Sequence, residues 1–296
     1  MREPPQIRLL PDGRRLYLHD GPIDLIIEAF AEPEQIGTAY RAAARRFVTI
    51  LEELCGELTF LRQRMYPDSA LPRGVVARRM ALAVTPFAER CFITPMAAVA
   101  GAVAEEILEA MTSAALLERA YVNNGGDIAL HLTAGQEFTV GMVERPDRPS
   151  LFGTATIHAG QCIGGIATSG WRGRSFSLGI ADAVTVLAEN AAAADAAATV
   201  IANAVDVPGH PAILRKPACD IDPQSDLGNL PVTRYVGQLD ENDVEIAVDS
   251  GDALAHNLIH QGLIHSAALS LQGLVRISAQ TDYLRQIAQS GTLTHA

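Results

Sequence analysis

The sequence predicts an α+β fold: antiparallel sheets with helices packed on their faces, in two closely joined lobes. Three observations point to it. Short apolar runs separated by Gly-, Asn- and Asp-containing turns fill residues 7–30 and again 120–187, the texture of antiparallel strands joined by tight connections. Two helices of mostly small residues, near 94–111 and 191–203, can bring backbone close to backbone. After Val207 the chain becomes proline-marked, and residues 208–296 read as a C-terminal extension of one domain that spans 1–296.

In chain order, Ile7–Leu10, Arg14–Leu18 and Ile23–Phe30 read as a meander, with turns at Pro11-Asp12-Gly13 and Asp20-Gly21-Pro22. Pro33 and Glu34 open a helix expected to reach Leu61, its apolar stripe formed by Ala43, Phe47, Ile50, Leu51 and Leu54. Thr94-Pro95 is a helix start, a hydroxyl cap followed by proline, and that helix is expected to end near Met111. Strands are expected at 120–123, 127–132, 137–144, 153–158, 162–167 and 183–187. Further strands are expected at Val232–Val236 and Val244–Val248, and a long helix from Asp249 to about Ser278. The tail after Tyr283 is expected to be loose.

Composition narrows the function. The chain has 296 residues, 48% of them apolar, enough for a substantial core. A net charge of −11 argues against nucleic acid or an anionic membrane as the main partner, although a local arginine cluster can still hold a phosphorylated small molecule. The first residues have no export-type apolar segment, and no stretch is long enough to span a bilayer, so the expected compartment is the cytoplasm. The four cysteines are scattered and read as reduced structural thiols. A homodimer is a candidate assembly.

Three stretches carry candidate chemistry. Asp195, Thr199 and Asn203 recur at four-residue spacing on the alanine helix, which places a carboxylate, a hydroxyl and an amide on one face. Hard oxygen donors so placed suit a magnesium ion; the other reading is Asp195 as a local hydrogen-bond acceptor. Asn123-Asn124-Gly125-Gly126, followed by Asp127, forms a tight turn whose N–H groups can cradle an anion or a ring carbonyl. Thr168-Ser169-Gly170-Trp171-Arg172-Gly173-Arg174 gathers hydroxyls, glycine turns and two guanidiniums, the combination phosphate binding needs; a hairpin with a basic tip is the alternative. His256 and His260 share a helix face in the manner of a metal pair, but core or surface histidines are the expected reading.

These stretches resemble a known family. Asn123-Asn124-Gly125-Gly126-Asp127-Ile128 is similar to the Asn-x-Gly-Gly-Asp-Ile element of the ApbE-type flavin transferases. Ala167-Thr168-Ser169-Gly170 resembles their Ala-Thr-Ser-Gly element, and Ala194-Asp195-Ala196-Ala197-Ala198-Thr199 their Ala-Asp-Ala-x-Ala-Thr element. The segment Asp222-Pro223-Gln224-Ser225-Asp226-Leu227-Gly228 points to an uncharacterised branch of that superfamily. The resemblance implies cleavage of FAD with Mg²⁺ and attachment of FMN to a Thr or Ser of a target protein. It implies Asp195 and Thr199 as magnesium ligands. Gly125, Gly126 and Asp127 would border the flavin, and Thr168, Ser169 and Gly170 would contact the nucleotide; Asn123 and Arg172, beside them in the chain, are the further cofactor-binding candidates. Two departures stand out. The family's Lys-Gly-x-x-x-Asp helix start corresponds to Ala100-Gly101-Ala102-Val103-Ala104-Glu105, without the lysine. Its His-x-x-Asp-Pro segment is replaced near Ser175-Phe176-Ser177-Leu178-Gly179. No catalytic residue is therefore assigned. The functional alternatives are a non-catalytic cytosolic flavin- or nucleotide-binding protein, and a biosynthetic enzyme that reuses the fold on a pterin-like substrate.

Overall fold

The computed structural model describes residues 3–143 and 151–279. Its elements are β1 (Gln6–Leu9), β2 (Leu16–Asp20), β3 (Ile23–Phe30), α1 (Pro33–Gly56), α2 (Leu58–Leu61), α3 (Val75–Val84), α4 (Val99–Ala114), β4 (Arg119–Asn124), β5 (Asp127–Leu132) and β6 (Glu137–Val143). They continue with β7 (Leu151–His158), β8 (Gly165–Ser169), β9 (Ala183–Ala188), α5 (Ala191–Ala204), β10 (Ile213–Pro217), β11 (Pro231–Val236), α6 (Glu241–His260), β12 (Ser266–Leu271) and β13 (Leu274–Ala279). Nine strands make one sheet in the order β1-β2-β3-β4-β5-β8-β9-β12-β13, and every neighbouring pair is antiparallel. Two ribbons, β6–β7 and β10–β11, stand outside it. The fold is thus α+β, and the last two strands place the C-terminal stretch in the same sheet as the N-terminal meander.

Strand alternation sorts the side chains into two faces. Ile27, Val122, Ala167, Val186, Ala267 and Leu269 belong to the main core, together with Phe47 of α1, Ile107 of α4, Ile201 of α5 and Leu258 of α6. The opposite face carries a smaller apolar cluster of Leu130, Ile157, Ile163 and Ile166, packed against Phe138 and Val140 of β6. Burial of the large core is the main stabilising term, at roughly 25 cal/mol per Å² of apolar surface removed from water.

Small residues set how closely the middle of the fold packs. A Cβ built on Gly101 of α4 would lie 2.2 Å from the carbonyl oxygen of Ala191, at the start of α5. One built on Gly165 of β8 would lie 2.2 Å from the carbonyl carbon of Asn190, the residue that caps α5. Asn190 accepts a 2.9 Å hydrogen bond from the N–H of Ala193, which fixes where α5 begins.

Several sequence expectations are corrected. The first long helix stops at Gly56, and only a short turn of helix, α2, covers Leu58–Leu61. Val244–Val248 is helix rather than strand. Asp240 caps α6 by accepting from the N–H of Asp243 at 2.8 Å, and Val244, Ala247, Val248, Gly251, Ala255, Leu258 and Ile259 are buried at helical spacing. The helix expected to run from Asp249 to Ser278 ends at His260, and Ser266–Leu271 and Leu274–Ala279 are strands. Every residue of β12 is buried: β9 and β13 flank it, and α6 packs against it. Such a strand loses the alternation that marks one exposed face, so the sequence pattern does not separate it from buried helix. The expectations for Glu144 and for the tail after Tyr283 lie outside the described residues.

Candidate functional site

The site forms where the β4–β5 hairpin, the end of β8 and the faces of α4 and α5 converge. Gly125 and Gly126 make the hairpin turn at φ +67° and +116°, a region that a side chain strains to enter. Asn123 accepts the N–H of Gly126 through Oδ1 at 2.8 Å. Asn124 donates through Nδ2 to the carbonyl of Ala100 at 3.1 Å, which ties the turn to the start of α4. Asp127, the first residue after the turn, accepts from the N–H of Thr168 at 3.3 Å. Thr168 and Thr185 pair through their hydroxyls at 2.9 Å on the outer face of the sheet.

Asp195 projects from α5 toward the first turn of α4 and accepts the N–H of Gly101 at 3.0 Å. The local-acceptor reading of Asp195 is therefore realised: its carboxylate meets an unpaired helix-start N–H. It also lines open space. Asp127, Asp195, Thr199, Ser169, Arg174 and Ala100 border two adjoining chambers of about 490 and 390 Å³. The first is built on the outer sheet face, with Ile128, Ile166, Thr168, Thr185 and Leu187 among its walls, the Gly125-Gly126 turn at its rim and β6–β7 over it. The second is bordered by Phe92, Met96, Phe176, Asn203 and the tip of the loop carrying Asp222, Gln224, Ser225 and Asp226. Thr94 caps the helical start by accepting from Met96 and donates its hydroxyl to Asp226, which holds that loop against the second chamber.

The electrostatics of the junction are unusual. Burial raises the Asp127 carboxyl to about 7, against the opposing pull of the Thr168 N–H and the Arg174 charge. Burial, then the Asp127 charge, raises Asp195 well above the ordinary carboxylate range, although Gly101 donates to it. Two carboxylates held close in a poorly solvated place each resist ionisation unless a cation joins them. With the Thr199 hydroxyl, they form a hard-oxygen set suited to a divalent ion such as Mg²⁺. Among the described residues, no group of three or more His, Cys, Asp or Glu side chains forms a metal cluster.

The structure brings most of the sequence candidates together. Asn123, Gly125, Gly126, Asp127, Thr168, Ser169, Gly170, Asp195 and Thr199 all line the first chamber. Asn203 borders only the second, where its Oδ1 accepts the N–H of Leu178 at 2.9 Å. Arg172 borders neither: its Nε donates to Asp182 at 2.7 Å, and its guanidinium lies 4.3 Å from the centre of the Trp171 ring. Arg174 lines both chambers instead. His256 is exposed, with Nδ1 3.0 Å from the carbonyl of Asp252 on its own helix. Glu105, which stands at the family's Asp position, pairs with Arg79.

Sequence reasoning missed two things here. From sequence Asp127 reads as a border of the turn and not as a carboxylate that shares the junction with Asp195, since the two lie 68 positions apart. Sequence reasoning also leaves the Asp222–Asp226 loop unplaced, although its branch-specific motif is a signal. No described helix is long and apolar enough to cross a membrane.

UPF0280 proteins of two archaea are similar to the chain. That of Methanopyrus kandleri is 41% identical over 128 residues, 43% of this chain and 48% of the relative. That of Methanothrix thermoacetophila is 36% identical over 149 residues, 50% of this chain and 59% of the relative. The chain thus spans about half the length of these relatives. Among solved structures, the ApbE protein of Thermotoga maritima is 16% identical, with a TM-score of 0.40, over 88% of this chain and 79% of that one. The flavinyl transferase ApbE of Pseudomonas stutzeri is 11% identical, with a TM-score of 0.40, over 97% and 98%. The family model described as AbpE bacteria matches residues 7–277, nearly the whole chain, and the chain belongs to that family.

Proposed function

We propose that the chain binds a phosphorylated flavin, FAD in the first instance, across the two chambers with Mg²⁺ at their junction, and acts on its phosphate linkage. The observation that carries this reading is the Asp127–Asp195 pair: two half-buried carboxylates from separate elements, both raised in proton affinity, at the point where the chambers meet. Asp127, Asp195 and Thr199 would hold the ion. The Gly125-Gly126 turn and the Thr168–Thr185 floor would receive the flat ring, with Ser169 near the phosphates. When bound, the ion supplies charge neutralisation at the phosphates as the linkage breaks. The chain's own part is to orient the ligand and keep water from the ring.

The test is a titration of FAD with and without Mg²⁺, followed by chromatography for released AMP and for FMN, free or attached to protein. Binding that needs Mg²⁺ and disappears in Asp195→Ala, with folding intact by circular dichroism, is the expected outcome; Mg²⁺-independent binding, or none, would sink the reading. AMP release separates an enzyme from a binding protein. One observation favours the binding protein: neither chamber is lined by a His, Lys or Cys among the described residues, and Ala100 stands at the lysine position. FAD held intact would support that second reading. A thermal shift with reduced pterins and none with flavins would move the proposal to a non-flavin heterocycle.

A further inference from the structure

We propose that Arg174 is the anion clamp of this site, a specificity-determining residue for phosphate-bearing ligands, and that Arg172 acts only to hold it in place. This rests on the reading of the cleft as a site for a phosphorylated ligand.

The two arginines sit two positions apart and have opposite surroundings. Arg172 is held from two sides. It pairs with Asp182 and lies over Trp171, and Trp171 donates its own Nε1–H to the same Asp182 oxygen at 3.2 Å. The other oxygen of Asp182 accepts the N–H of Gln272 at 2.7 Å, so the loop is fastened to the β12–β13 turn. Two backbone bonds tighten it further, from the Trp171 N–H to Ala181 at 3.0 Å and from the Gly173 N–H to Gly170 at 3.1 Å. This anchorage leaves the next cation, Arg174, projecting over the hairpin turn.

Among the described residues no hydrogen bond to the Arg174 guanidinium is seen, and its charge acts on Asp127 across the cleft. Its guanidinium lies against the bare backbone of Gly125: a Cβ there would come within 1.7 Å of Nη2 and 2.9 Å of Cζ. The positive φ of Gly125 calls for glycine, and its bare backbone is where the guanidinium rests. The side chain borders both chambers beside Asp127, Asp195 and Ser169, where the phosphates of a ligand bridging them would lie. A planar guanidinium with free donors can grip a phosphate through two parallel bonds, and a cation there offsets ligand charge that a single divalent ion leaves uncompensated. The remaining charged groups that border the chambers are Arg62, Asp222 and Asp226, all in the second.

The test measures binding of three probes to the full chain with Mg²⁺ present: inorganic pyrophosphate, FAD, and riboflavin, which has the ring without phosphate. Arg174→Ala should weaken pyrophosphate and FAD about tenfold or more, the effect of a lost charge-assisted bond pair, and leave riboflavin unchanged. Arg174→Lys should recover part of the loss. Arg172→Ala should weaken the same two probes less, because it loosens the loop without removing the clamp. Equal losses for FAD and riboflavin, or no loss for pyrophosphate, would overturn the proposal, as would a wild-type chain that binds none of the phosphate-bearing probes. A chain that binds pyrophosphate in an Arg174-dependent way but neither flavin would refute the flavin reading and leave the clamp standing.

Discussion

Two helices lie on the same face of the sheet and use opposite packing. In α5, nine of fourteen residues are buried, six of them alanines in the stretch 191–198. Its approach to α4 is set by backbone, with the Ala191 carbonyl filling the space that a Cβ on Gly101 would take. In α6, the buried stripe mixes Ala247, Gly251 and Ala255 with the larger Val244, Val248, Leu258 and Ile259, and the close point at Gly251 is met by Val205 Cγ2 and Leu269 Cδ2 at 2.4 and 2.8 Å from a built Cβ. The first contact cannot yield and the second can, because methyl-tipped side chains rotate and backbone does not. The difference coincides with function: α5 carries Asp195 and Thr199 into the cleft, and α6 borders neither chamber. Close backbone approach is what lets a side chain as short as aspartate on α5 reach a helix-start N–H on α4.

The comparison can be broken most directly at Gly101. Gly101→Ala gains helix propensity but presses on a carbonyl. The net loss should be about 2 kcal/mol, toward the upper part of the overpacking range, visible as a lower denaturant midpoint. A wild-type midpoint would mean that α4 and α5 can slide apart.

A second test sharpens the electrostatic half. Asp127 takes a folded-state value of about 7 against 3.8 for an ordinary carboxyl, so the folded protein binds that proton more tightly than the unfolded chain does. Metal-free stability should therefore be greatest at or below the ordinary value and fall as pH rises through about 7. Asp195 is shifted in the same direction and adds to the fall. Mg²⁺ needs the ionised pair, so it should restore stability above neutrality and do little near pH 5. Asp195→Asn should flatten the fall and abolish the Mg²⁺ effect. Thermal unfolding across the range with and without the ion measures both, and a flat wild-type profile would contradict the raised proton affinity of the pair.

The smallest effect is expected at Gly251. Gly251→Ala gains about 1 kcal/mol of helix propensity and loses a similar amount to side-chain crowding, so the denaturant midpoint should barely move. A loss as large as that of Gly101→Ala would erase the distinction between the two helices.

Much of the site was legible because local chemistry dictates local shape. The Asn-Gly-Gly turn, the Thr94-Pro95 start and the Asp195/Thr199 spacing each follow from steric preference or helical period, and each stands where the sequence places it. The errors clustered where burial on two sides removes the pattern. β12 is buried throughout and its pattern reads as helix, and the start of α6, with Val244, Ile246 and Val248, reads as strand because β-branched residues carry strand preference.

By itself, the sequence determined the α+β class, the small-residue helices and the residues able to carry the chemistry, since these depend on neighbours a few positions away. Only the tertiary structure decided that Asp127 shares the junction with Asp195, that the Asp226 loop borders the second chamber, and that Arg174 rather than Arg172 reaches the cleft. Those outcomes depend on pairings between distant strands and on which of the two arginines pairs with the buried Asp182. No local rule contains that information, because it is fixed by the register of the sheet and the packing of the helices upon it.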